Sequence, residues 1–157
     1  EARRAARLAA DERFAEGRSL YESGSLAAAL RVYERATEAF SDHLPAHVFT
    51  ALVCLGLLRA PGGTSPEEED LESRLRVLAF EALAAADALD PHDRFPDRHR
   101  VRGQLDELLH RQGGGEETRR AAVKAYQRYL RAMAAAGREG DEAVSDARAR
   151  LKALEER

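Results

Sequence analysis

The densest grouping of residues able to bind a metal or move a proton is His92, Asp93, Asp97 and His99. Imidazoles and carboxylates are the donors that zinc and its neighbours accept. This stretch is a polar linker broken by Pro96, so its side chains are expected to be solvated rather than turned onto one ion, and no metal site is expected. His43 and His47 stand four apart, but they straddle Pro45 and a helix start, and His-Glu-x-x-His does not occur. Gly113-Gly-Gly115 lacks the Lys-Ser/Thr of a phosphate-binding loop and reads as a linker. The single cysteine, Cys54, excludes an internal disulfide and a cysteine-based metal site. It lies in the apolar run Val48–Leu58, where a small core residue is expected rather than a nucleophile. Carboxylates are plentiful, yet none stands isolated in an apolar stretch that would raise its pKa for acid–base work. The expectation is a protein without catalysis and without a cofactor.

What remains is charge, and it is unevenly spread. Residues 65–93 carry two arginines against nine acids, a net of −7, whereas residues 94–131 carry nine arginines and Lys124 against five acids, a net of +5. Residues 1–64 are neutral, and the chain as a whole is −3. Part of this asymmetry is expected to be spent in ion pairs between helices, each of small value. The remainder makes a basic patch suited to acidic side chains, because the arginine fork binds carboxylates bidentately. Nucleic acid is not expected as a partner, given the negative total and the scarcity of aromatics among the arginines.

The elements that must carry these groups are helices. The 157 residues include 31 alanines and 23 arginines, and there is no isoleucine, so helix formers abound and β-branched residues are scarce. An all-α fold of seven helices follows from the periodicity. The first helix ends at Gly24 after a stripe of Phe14, Gly17, Leu20 and Tyr21. The second spans about Ser25 to Phe40. The third runs from Pro45 to about Ala60 and is apolar nearly all round, hence covered on most sides; its eleven-residue apolar core is too short to cross a bilayer. Pro61 to Ser65 reads as a flexible loop, and the stretch 61–69 is expected to be the first site cut by protease. Ser65-Pro-Glu-Glu68 is a capping box that opens the fourth helix, which Asp90-Pro91 closes. The fifth is expected at about Asp97–Gln112, the sixth at about Glu116–Ala136 and the seventh at about Asp141–Glu156. The sequence opens at Glu1-Ala-Arg-Arg and reads as a piece of a longer protein. Its arginine-over-lysine, alanine-rich bias suits a GC-rich bacterial gene, and a cytoplasmic location is expected.

Helices joined by short turns invite a search for repeats. Gly17, Leu20, Tyr21, Gly24, Leu26, Ala29, Leu30, Tyr33 and Ala36 resemble the signature of the tetratricopeptide repeat. Moving on by 34 residues, its period, puts Ala51 on Gly17 and Cys54 on Leu20. Ala79, Leu83, Ala86 and Leu89-Asp-Pro91 resemble the end of a second such pair, although roughly sixteen extra residues intervene between its helices. The third pair keeps Ala122, Tyr126 and Tyr129 but lacks the small-residue marks on its first helix. The resemblance implies antiparallel pairs at about 1–40, 44–90 and 97–136, stacked as a short right-handed solenoid within one domain, with 141–156 as a capping helix.

It also implies where a partner would bind. Each pair's first helix lines the concave side, which places Asp11, Phe14, Arg18, Tyr21 and Glu22, then Val48, Leu52, Leu55 and Gly56, then Arg98, Arg102 and Leu105, along a groove. Phe14, Arg18 and Tyr21 form the expected hot spot, since aromatics and arginine dominate interface energy. The resemblance implies an adaptor or scaffold holding a peptide or partner segment of acidic character. The alternatives are a structural subunit of a larger assembly and a regulatory domain of a multidomain enzyme.

Overall fold

The computed structural model describes residues 1–60 and 65–156. Seven α-helices account for most of them: α1 (Ala2–Glu22), α2 (Leu26–Ala39), α3 (Leu44–Arg59), α4 (Pro66–Leu89), α5 (Asp97–Arg111), α6 (Glu116–Ala135) and α7 (Glu142–Glu155). No strand occurs among the described residues. Residues 61–64 of the loop expected at Pro61–Ser65 lie outside them.

The helix ends have local causes. After α1 the chain turns through Gly24 at φ +83°, a conformation that a side chain would strain. There the Ser25 N–H donates to the Leu20 carbonyl at 2.9 Å and the Gly24 N–H to Tyr21 at 3.0 Å, so the last carbonyls of the helix are satisfied. At the start of α3, the His43 ring caps the helix by accepting the Ala46 N–H at 3.1 Å. Ser65 caps α4 by accepting the Glu68 N–H at 3.3 Å, and Glu67, Glu68 and Glu69 sit in the first turn, where the helix dipole favours them.

The chain divides into two compact units, Glu1–Pro91 and His92–Arg157. In the first, α1 packs on α2, α2 on α3, and α3 on α4. Gly17 lets α1 approach α2 closely. A Cβ added there would run into the Tyr33 ring, whose Cδ1 stands 2.8 Å from the Cβ position. Ala10, Ala29, Tyr33, Ala36, Ala46 and Val53 are all fully buried around this contact. On α4 the inward positions are Leu75, Ala79, Ala82, Leu83 and Ala86.

In the second unit, α5 packs on α6 and α6 on α7. Tyr126, Tyr129 and Met133 of α6 are buried with Val144, Ala147 and Leu154 of α7. The close approach of α5 to α6 is again at a glycine: a Cβ on Gly103 would stand 2.9 Å from Cε1 of Tyr126. This corrects the sequence reading that the third pair has no small-residue mark on its first helix. The mark is Gly103, hidden between Arg102 and Gln104.

The same unit corrects a second expectation, that no carboxylate is held in a setting that raises its pKa. Asp106 is buried on α5, and burial pushes its carboxyl up to about 6, with the positive charge of Arg102 pulling it partly back. Next to it, Glu107 is 3% exposed. It accepts from Arg150 of α7 at 3.1 Å and from Arg111 at 3.4 Å, and Arg150 also donates to Asp146 at 2.8 Å. Arg119, at the start of α6, donates to the Leu154 carbonyl at 2.9 Å and ties α6 to the end of α7. Part of the arginine excess is therefore spent within the fold.

Candidate partner-binding face

The site built best by the first unit is a cluster of rings shared by α1 and α3. Phe14 of α1 lies edge-on to Phe49 of α3 with centroids 5.2 Å apart, and Tyr21 meets the same ring at 6.0 Å and 81°. Tyr33 of α2 underlies the cluster, 5.7 Å from both Phe14 and Phe49. Phe14 and Tyr21 are seven residues, about two turns, apart on α1, so helical spacing alone puts them on one face. Their rings and that of Phe49 are half-buried, while Tyr33 is wholly buried. The buried Tyr33 hydroxyl is pushed up to about 12, mainly by loss of hydration, and stays a neutral phenol.

Charge frames the rings. The Arg18 guanidinium stands 5.8 Å from the Phe49 centroid, a cation–π distance, and donates to Glu22 at 3.5 Å. Both Arg18 and Glu22 are exposed. Arg18 is thus half-committed: its guanidinium lies over an aromatic ring, and its exposed ion pair is weak enough to be exchanged for another carboxylate. At the far side of Phe14, the His43 ring lies 5.3 Å away, and His43 Nε2 is 2.9 Å from Asp11 Oδ1. Because His43 Nδ1 accepts the Ala46 N–H, Nε2 carries the proton and donates to Asp11. Asp11 serves to orient that cap.

The expected groove residues fare differently. Phe14, Arg18, Tyr21 and Glu22 are brought to one face, and Leu52 and Gly56 of α3 are half-buried. Val48 and Leu55 are not available: they are 1% and 0% exposed, which makes them core residues. Leu105 is also fully buried. Arg98 is 5% exposed and is held by Asp93 at 2.7 Å and the Phe95 carbonyl at 3.4 Å, so it has little surface for a partner. Arg102 is half-buried and is engaged electrostatically within the fold. The residue that sequence reasoning missed is Phe49. It follows Val48 in a run where nearly every residue is apolar, and such a run carries no clear period from which to choose the outward face.

The histidine–carboxylate grouping of the linker is also placed. His99 Nε2 and Arg98 Nη2 converge on Asp93 Oδ1 at 2.8 and 2.7 Å. Burial tends to raise the Asp93 carboxyl, but the hydrogen bonds from His99 and Arg98 outweigh it and hold the group below the ordinary range. Asp93 itself sits at φ 52°, a left-handed conformation that aspartate tolerates and that these two bonds help fix. The grouping shapes the entry to α5, and no set of three or more metal-ligating side chains converges among the described residues. Cys54 is fully buried, and loss of hydration pushes its thiol up to about 12. No described helix is long and apolar enough to cross a membrane.

Neither a family model nor a curated protein sequence matches the chain.

Proposed function

We propose that the chain is a protein–protein interaction module without catalysis, built from helix pairs of the tetratricopeptide kind, and that it holds a segment of acidic character on the α1–α3 face. The observation that carries this reading is the ring cluster itself. Phe14, Tyr21 and Phe49 present half-buried aromatic edges beside an exposed arginine, the residue types and partial desolvation found at interface hot spots.

The helix-pair reading has separate support. The two glycine–tyrosine approaches, Gly17 on Tyr33 and Gly103 on Tyr126, are of one kind. In α2, α4 and α6 the same spacing recurs at Ala29/Tyr33/Ala36, Ala79/Leu83/Ala86 and Ala122/Tyr126/Tyr129, and all nine residues are fully buried. Residues late in α1 also face residues early in α2, as an antiparallel pair requires: Leu20, Tyr21 and Leu26 share one cluster, and Arg3 at the start of α1 pairs with Asp42 beyond the end of α2 at 3.1 Å.

The test is selection of peptides from a random display library on the immobilised chain, followed by titration of synthetic peptides. Enriched sequences should be rich in Asp and Glu with an apolar anchor. Their binding should be lost in the Arg18→Glu, Tyr21→Ala double variant with helical content unchanged. Selection of basic peptides, or binding indifferent to that variant, contradicts the proposal.

A further inference from the structure

Outside its core contacts, α4 leaves large apolar side chains in solvent, where a solvated helix surface should be polar. Leu71 and Val77 are 56% and 57% exposed, among the few large hydrophobics left in solvent, and a shallow apolar depression of about 300 Å³ is lined by Ser73, Arg74, Val77, Leu78 and Glu81. These positions sit three and four apart, so they form one stripe along the helix. The stripe continues with Ala84 and Ala88, both exposed. Exposed apolar surface framed by charges marks an interaction surface.

The order of residues on the stripe identifies what covers it. Arg74 and Glu81 are seven residues apart, two turns or ~10.5 Å, and the apolar pair Val77–Leu78 lies midway between them. A sequence of this kind is complementary to itself when reversed. Laid antiparallel on a second copy with Val77 against Leu78, Arg74 of each chain meets Glu81 of the other. In the same register Leu71 falls on Ala84, a large side chain over a small one. We propose that α4 is the interface of an isologous homodimer, the two α4 helices crossing antiparallel about a two-fold axis at Val77–Leu78.

The charges at the ends are available for this pairing. Glu81 is exposed and has no ion-pair partner among the described residues, and Arg74 holds Asp70 at 2.9 Å with both side chains mostly exposed. A pair of that kind on one helix is worth little, so moving Arg74 to an intermolecular carboxylate costs little. A single helix pair buries less than the ~800 Å² per partner of a standard stable interface, so the dimer is weak and concentration-dependent.

Sedimentation equilibrium of the chain from micromolar to millimolar concentration tests this. The weight-average mass should climb from one chain toward two. Arg74→Glu sets Glu against Glu81 of the other copy, and Glu81→Arg sets Arg against Arg74. Each single variant should stay monomeric with unchanged circular dichroism. An equimolar mixture of the two variants restores both cross-pairs and should regain the doubled mass, as should the Arg74→Glu, Glu81→Arg chain alone. A wild type that is monomeric throughout overturns the proposal. So does a dimer that survives both single reversals, or a pair of monomeric variants whose mixture does not associate.

Discussion

Asp106→Asn should stabilise the protein, and only where the native carboxyl is charged. Asp106 is 7% exposed on α5, and burial raises its carboxyl to about 6 while Arg102 partly offsets that rise. An aspartate in the unfolded chain titrates near 3.9. The folded state therefore holds its proton more tightly than the unfolded state. Its contribution is fully favourable below about pH 4 and is lost as the pH rises through about 6. A difference of about two units corresponds to at most ~3 kcal/mol, and relaxation around the charge leaves an effect of ~1–3 kcal/mol. Asparagine keeps the shape and removes the charge. Urea unfolding followed by circular dichroism, run as a pH series on both proteins, is the assay. At pH 8 the variant should be the more stable by ~1–3 kcal/mol, with the gap closing between about pH 6 and pH 4. A gap that does not change with pH, or a variant less stable at pH 8, would refute the claim that a buried carboxylate there strains the fold.

Three further outcomes follow from the packing. Gly17→Ala forces a Cβ into the Tyr33 ring; the overpacking, ~1–3 kcal/mol, should outweigh the ~1 kcal/mol gained in helix propensity, and Tyr33→Leu in the same chain should recover part of the loss in thermal melts. Glu107→Ala leaves Arg150 with Asp146 alone and opens a buried position between α5 and α7, so the midpoint of urea unfolding should fall by the equivalent of ~1–3 kcal/mol, whereas Lys152→Ala, at an exposed pair, should change it by less than ~0.5 kcal/mol. Cys54, buried and with its thiol pushed up to about 12, should resist iodoacetamide in the native state and react at the rate of unfolding when urea is added; rapid labelling in buffer would place it at the surface.

The helices were legible because their ends carry local signals. Gly24, Ser65-Pro66 and Asp90-Pro91 act through capping and backbone restriction within a few residues, and the bounds of α1, α2 and α4 fall where those residues put them. The first pair's contact was legible for the same reason, since Gly17, Ala29, Tyr33 and Ala36 each mark a close approach. Three features were not. On α3 the nearly continuous apolar run hides its outward register, so the pattern does not single out Phe49 and points Val48 and Leu55 to a surface they do not reach. On α5, Asp106 and Glu107 look like solvated residues, because the partner that makes burial of Glu107 tolerable, Arg150, lies 43 positions downstream. Arg98 looked like a free cation because its carboxylate, Asp93, stood in a stretch that read as a solvated linker. For α3 and for Glu107 the deciding contact is set by tertiary packing, which composition and spacing do not encode; Asp93 and Arg98 meet locally, through the left-handed turn at Asp93.

The central claim is that the aromatic face of α1 and α3 takes up a protein segment. Amide and aromatic chemical-shift mapping of the labelled chain with a selected acidic peptide tests it most directly. The account predicts saturable shifts centred on Arg18, Tyr21, Phe49 and Leu52. Saturable shifts confined to other surfaces, with those four unmoved, would contradict it.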